Sequence, residues 1–321
     1  ESPAAHSIQT TELGALQKEI SPGVRYVGDT CSFDGVIAYS GGVDENGDPL
    51  LKSIYTVDLD DPENPQQLPI TAERQDIFSL DMNEKWLVFT DGSRAGGGFV
   101  KAYNREQRTT VTVKEYYAGQ PSLSLSEDVL VWTERTGTYM DKLYACDLNT
   151  LEYVTVATFE RSRSGQSDSC AKNGEIIWAE EDESVAQGGE PKSVIRYIDL
   201  ENGANIGTYQ ANMYVHDPVT NGSSWAWIDS DHSANANLYL SIDRKEPLLI
   251  ADNVLTYGIA EEFLAYNRNN SIYVYFLEDG YEQIVTPASE SAMLAEVSSD
   301  KVIWFETGII SRDVLKYAAI S

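Results

Sequence analysis

The stretch Glu127-Asp128-Val129-Leu130-Val131-Trp132-Thr133-Glu134 decides the architecture of this 321-residue chain. It is a polar pair followed by an apolar run with an aromatic at its fourth position. The same block returns along the whole sequence. Its aromatics are Tyr39, Phe89, Trp132, Trp178, Trp227, Tyr266 and Trp304, lying 38 to 50 residues apart by subtraction. Periods in that range mark propellers and solenoids.

Superposed on the aromatic, the flanking positions sort into columns. The residue two before it is Ile37, Leu87, Leu130, Ile176, Trp225, Leu264 or Val302, and the residue one before is apolar as well. Side chains alternate across a sheet, so two adjacent apolar columns describe a strand buried on both faces. The preceding pairs include Asp34-Gly35 and Asn173-Gly174, which favour type I′ hairpin turns. An alternating run such as Ser122–Leu125 stands before the turn and reads as a first strand. A third strand is marked by Tyr55, Val100, Tyr144, Ile195, Tyr239, Tyr273 and Leu315, and a fourth by runs such as Val154–Thr158. Four antiparallel strands repeated radially make a propeller blade. The predicted fold is therefore all-β, a seven-bladed β-propeller with four antiparallel strands per blade. The seventh block lacks a fourth strand, while Leu13–Glu19 stands ahead of the first block. The N-terminal segment is thus expected to complete the last blade and close the ring. Residues 1–12 read as a tail and 13–321 as a single domain.

Composition narrows the partners. There are 51 acidic against 23 basic residues, a formal charge of −28. That balance excludes nucleic acid, whose phosphates need Lys and Arg, and disfavours anionic membranes. No apolar run approaches the roughly 20 residues of a membrane span. The scarcity of Lys and the sequons at Asn221 and Asn269 fit a secreted, periplasmic or cell-surface protein, expected to be a monomer. Three cysteines make no disulfide framework. Cys31 and Cys170 occupy equivalent places in different units, too far apart to bridge, and all three read as small buried residues.

The pairing of Val129-Leu130-Val131-Trp132-Thr133-Glu134 with Leu143-Tyr144-Ala145-Cys146-Asp147-Leu148 resembles the TolB-like propellers of bacterial periplasmic and cell-surface proteins. The fourth unit repeats it in Ile176-Ile177-Trp178-Ala179-Glu180 and Ile195-Arg196-Tyr197-Ile198-Asp199-Leu200. The Ser-Pro-Asp-Gly turn usual in that family is missing. The resemblance implies binding of proteins or glycans outside the cytoplasm and brings no catalytic residues with it.

Function is sought on the loops joining strands two and three and those joining successive blades, which share one face of a propeller and vary most here. An acidic column lies two residues past the block aromatic: Asp91, Glu134, Glu180, Asp229 and Glu306. Such an arc needs cations to neutralise it. It reads either as a ligand or metal surface or as a structural column paired with neighbours such as Arg135. The oxygen-rich turn Asp44-Glu45-Asn46-Gly47-Asp48 resembles the start of a calcium loop, with Asp44, Asn46 and Asp48 as ligands. It reads equally as a polar turn. Calcium is the only cofactor the sequence suggests. Blade-to-blade segments carry Tyr116, Tyr117, Arg161 and Arg163 as ligand-binding candidates. His216, with Tyr214 and Arg163, supplies the base and cation that a polysaccharide lyase requires. Phosphate loops, dinucleotide fingerprints and nucleophile elbows are absent from the sequence. The primary expectation is a non-catalytic binding propeller for a glycan or protein, with a lyase or glycoside hydrolase acting in the central depression as the alternative.

Overall fold

A computed structural model describes residues 8–10, 17–161, 167–187, 190–200, 206–209, 214–230, 236–286, 291–306 and 314–320. These form a seven-bladed β-propeller with four antiparallel strands per blade. A 3-10 turn at Ile242–Arg244 is the only helical element among the described residues. By their own contacts the residues fall into two compact units, one built from Pro121–Val254 and the other from Ala4–Gln120 with Leu255–Ser321.

In the first unit, blade three is Leu123–Ser126, Val129–Arg135, Met140–Asp147 and Glu152–Glu160. Blade four is Cys170–Lys172, Glu175–Gln187, Glu190–Asp199 and Gly207–Tyr209, and blade five is Val215–Thr220, Trp225–Ser230, Ala236–Ser241 and Leu248–Ala251. The adjacent apolar columns explain the packing. Ile176 and Trp178 point back into a cluster with Val131 and Leu143 of blade three. Ile177, between them, points forward into a cluster with Val215, Trp225 and Trp227 of blade five. One strand thus supplies both interfaces, which accounts for both columns being apolar. A buried node adds to the second interface. The Glu175 carboxylate accepts from Thr220 Oγ1 at 2.7 Å and Trp225 Nε1 at 2.6 Å, and pairs with Arg244.

The second unit holds blades one, two, six and seven. Blade one runs Val27–Phe33, Val36–Val43, Pro49–Asp58 and Gln66–Thr71, and blade two runs Asp76–Met82, Trp86–Gly92, Gly98–Asn104 and Thr109–Tyr116. The same alternation holds: Ala38 packs with Leu87 and Phe89 of blade two, while Ile37 and Tyr39 pack with Ile303 and Leu315 of blade seven. Blade seven comprises Ala292–Val297, Lys301–Glu306 and Val314–Ala319, and its fourth strand is Lys18–Ile20. The N-terminal segment therefore completes the last blade, as its spacing predicts; residues 13–16 of that segment lie outside the described residues. Blade six is Val254–Ile259, Phe263–Arg268, Ser271–Phe276 and Glu282–Ile284, and within the stretch read as a tail Ile8–Thr10 runs parallel to Glu282–Ile284 as its fifth strand. Nothing in the local sequence announces that pairing.

The block aromatics are all at most 1% exposed. Both residues of the Asp34-Gly35 and Asn173-Gly174 turns have positive φ, the type I′ geometry these pairs favour. None of the three cysteines is in a disulfide; Cys31 and Cys146 are buried and Cys170 is half-buried. Asn221 is 8% exposed and its Oδ1 caps its own turn through the backbone N–H groups of Ser223 and Ser224, at 3.0 and 2.8 Å.

Candidate functional site

The acidic column is bound into the blades that carry it. The residue opposite the block aromatic on strand three is a base in three blades: Lys101 faces Phe89, Arg196 faces Trp178 and Lys316 faces Trp304. Each base reaches diagonally to the acid. Lys101 Nζ lies 2.9 Å from Asp91, Arg196 Nε lies 2.7 Å from Glu180, and Lys316 Nζ lies 2.7 Å from Glu306. Asp91 also accepts the backbone N–H groups of Glu73 and Arg74 at 2.8 and 3.0 Å. Glu180 takes the Trp178 indole N–H at 2.9 Å. Burial alone would lower the Lys101 ammonium, but its bonds to Asp91 and Glu73 outweigh that and hold it above its ordinary pKa. Glu134 and Asp229 are buried as well, and Asp229 accepts the Tyr214 N–H at 2.9 Å. In the other four blades a tyrosine stands opposite the aromatic and stacks on it, as Tyr144 does on Trp132 at 5.2 Å and Tyr239 on Trp227 at 5.9 Å. The strand-three markers Val100, Ile195 and Leu315 read from the sequence fall one residue short of the aromatic's partner. The base is the next residue, and that shift conceals the ion pairs from a column reading.

The loop candidates separate by exposure. In the first unit, Arg161 is a clamp. Its guanidinium grips Asp141 through Nε at 3.0 Å and Nη2 at 2.5 Å, and Nη1 and Nη2 donate to the carbonyls of Thr138 and Gly137 at 3.0 and 3.5 Å. The Arg161 backbone N–H adds a bond to the Tyr139 carbonyl at 2.7 Å. Asp141 is buried while the Arg161 side chain is 11% exposed, and the hydrogen bonds to Asp141 raise the guanidinium pKa further. The loop Thr136–Met140 is thereby fixed, yet Tyr139 is 75% exposed. Sequence reasoning passed over Tyr139; the Gly137-Thr138-Tyr139 tip between strands two and three was the available signal. Arg163 lies outside the described residues.

In the second unit, Tyr116 is buried over Gly92 and Gly98, where any Cβ would collide with its phenol. Tyr117 is 77% exposed, its hydroxyl donating to Glu115 at 3.1 Å. The Asp44 turn closes on itself. Asp44 Oδ1 accepts the N–H groups of Asp48 and Asn46 at 2.9 and 2.8 Å, which lowers its pKa. Among the described residues no group of three or more His, Cys, Asp or Glu is arranged to hold a metal ion.

His216 belongs to a polar belt along the first strands of the first unit. Counted back from the block aromatic, Ser122, Asp168 and Asp217 hold equivalent positions of blades three, four and five, with His216 one residue before Asp217. Asp217 ties the belt together: its Oδ2 lies 2.8 Å from His216 Nδ1, its Oδ1 accepts the Asp168 N–H at 2.8 Å, and its own N–H donates to Ser167 Oγ at 2.8 Å. His216 Nε2 lies 3.3 Å from Ser230 Oγ. Asp168 is pushed up to about 6 by the protein around it and by the Asp217 carboxylate, against a hydrogen bond from Ser122 and the nearby imidazole. Solvent nonetheless reaches one side of the residue. Tyr214 contributes its backbone, accepting the Ser230 N–H at 3.2 Å.

No family model and no curated protein matches this chain. Solved structures do. The β-propeller domain of the trilobed protease from Pyrococcus furiosus aligns with a TM-score of 0.67 at 13% identity, covering 92% of this chain and 94% of that one. TolB from Acinetobacter baumannii aligns at 0.54 and 13% identity, over 77% of this chain and 62% of that one. An oligogalacturonate lyase solved with manganese aligns at 0.59 and 11% identity, over 95% and 90%. No membrane-length apolar helix occurs among the described residues. At such identities the likeness is one of fold: this chain shares the propeller with binding proteins and with enzymes alike.

Proposed function

We propose that the chain is an extracellular or periplasmic recognition propeller of the TolB-like kind, which binds a glycan or protein ligand through its variable loops. The observation that carries this reading is the Thr136–Met140 loop. A bidentate pair between Arg161 and the buried Asp141 ties its backbone through the Thr138 and Gly137 carbonyls, while the Tyr139 ring stands 75% exposed at its tip. Such a loop is costly to build for packing alone, because the ring it presents gains no burial. A pre-ordered aromatic avoids the ordering cost that binding otherwise carries, and tyrosine offers a flat apolar face with a polar rim. Tyr117 is a second exposed ring of the same kind. The charge of −28 sets the ligand class, since long-range repulsion opposes polyanions. A neutral glycan or a cationic protein surface fits.

The test is retention of the purified chain on immobilised neutral glucan, polyuronate and a lysine-rich polypeptide. Retention is expected on the glucan or the polypeptide and is expected to fall at least about tenfold for Tyr139→Ala with an unchanged melting temperature. Retention on the polyuronate alone, or none lost on replacing both Tyr117 and Tyr139, would sink the proposal.

A further inference from the structure

We infer that Ser230, His216 and Asp217 form a nucleophile, general base and orienting carboxylate able to transfer an acyl group from an uncharged ester to water. The geometry fixes the roles. A carboxylate only accepts, so the contact of 2.8 Å between Asp217 Oδ2 and His216 Nδ1 places the ring proton on Nδ1. In the neutral imidazole Nε2 then carries the lone pair, and it meets Ser230 Oγ at 3.3 Å. That is the tautomer in which an imidazole takes a serine proton, and the distance suits a site without substrate. Asp217 is held from two further directions, by the Asp168 N–H and by Ser167 Oγ. Its φ of 51° sits at the bulge between His216 and Val219, a device that re-aims side chains beside active sites. The bulge itself recurs in blades one, two and seven and is part of the blade. What it carries is particular to blade five. Counted from the block aromatic, the places of His216 and Ser230 are taken by Phe78 and Gly92 in blade two, by Pro121 and Arg135 in blade three, and by Ser167 and Glu181 in blade four.

The group is also reachable. The His216 and Asp217 side chains are 22% and 41% exposed, and Ser230 is half-buried. In the reaction, the Ser230 Oγ–H proton passes to His216 Nε2 as Oγ bonds to the ester carbonyl carbon. The ester C–O bond breaks and the alcohol leaves with that proton. A water molecule then gives its proton to His216 and its oxygen to the acyl carbon, the Oγ–acyl bond breaks, and the proton returns to Ser230. No further reactant is needed. Asp168, Asp217 and Asp229 around the site disfavour an anionic substrate, which is why the ester is uncharged.

The test uses the full chain with a fluorophosphonate probe and p-nitrophenyl acetate. Phosphonylation is expected at Ser230, located by peptide mass. It should vanish in Ser230→Ala and slow at least about 100-fold in His216→Ala and His216→Gln, the second variant guarding against misfolding of the first. Ser223→Ala, a turn serine outside the constellation, should label like the parent, and the probe is read at Ser230 with no loop ligand present. Labelling is thus independent of the loop-binding proposal, and the two fail separately. An unlabelled parent chain, or labelling and ester turnover that survive Ser230→Ala, would overturn the inference.

Discussion

Blades two and three meet the same packing demand with different chemistry. In blade two the residue facing the block aromatic is Lys101, whose side chain is 5% exposed and crosses to the fully buried Asp91. In blade three it is Tyr144, stacked on Trp132 with ring planes 20° apart. A base over the aromatic can be accommodated because an acid two residues along the strand answers it; a tyrosine needs no such partner. The contrast dissolves the impression of one continuous acidic arc. Asp91, Glu180 and Glu306 each have a base from their own blade that answers their charge. Where the column is filled by Gly41 or Arg268, the facing residues are Tyr55 and Tyr273, and no acid is called for.

Removing one side of each arrangement sharpens this contrast. The largest effect is expected in blade two. Lys101→Met strands a buried carboxylate and should cost about 3–5 kcal/mol, read from denaturant midpoints. Adding Asp91→Asn should recover a large part of that; additive losses would show that the two residues do not act as a pair. In blade three, Tyr144→Leu keeps apolar volume and loses the ring contact, at about 0.5–1.5 kcal/mol. The blade seven pair is partly exposed, at 19% and 25% of the two side chains. Lys316→Met should therefore cost about 1 kcal/mol or less, which grades the ion-paired blades by burial.

The smallest effect carries a sign. Asp168 has its folded pKa raised to about 6, from an ordinary 3.8. The folded state holds this proton more tightly than the unfolded chain, so the associated stability is complete below pH 3.8 and is lost as pH rises through 6. Asp168→Asn should accordingly gain stability above pH 6 and not below pH 4. Solvent access to the group keeps the gain to about 1 kcal/mol or less. Equal midpoint shifts at pH 4 and pH 8 would contradict the assignment.

The fold was legible because strand grammar is local. Adjacent apolar columns at 37 and 38, or 176 and 177, state that both faces are buried, and Asp34-Gly35 states where the chain reverses. The parallel addition of Ile8–Thr10 to blade six was not legible, since it depends on a distant edge rather than on a pattern within the segment. The site was readable only in part. His216 and the acidic column stood out by residue type, and Arg161 was noticed as a cation. That Arg161 spends its charge on Asp141, and that Ser230 lies against His216, follow from cross-strand geometry, which a single sequence does not carry. The bases Lys101, Arg196 and Lys316 were visible beside their acids once the strand register was known, each one residue past the marker that had been read.

The most direct measurement compares Tyr139→Ala with Glu306→Gln on the same immobilised neutral glucan and lysine-rich polypeptide. One variant removes a ring the protein holds out to solvent, and the other removes a charge it uses internally. The account predicts that Tyr139→Ala loses retention at least about tenfold while Glu306→Gln is retained like the parent chain. Retention lost with Glu306→Gln and kept with Tyr139→Ala would contradict it, and would return the acidic column to the ligand.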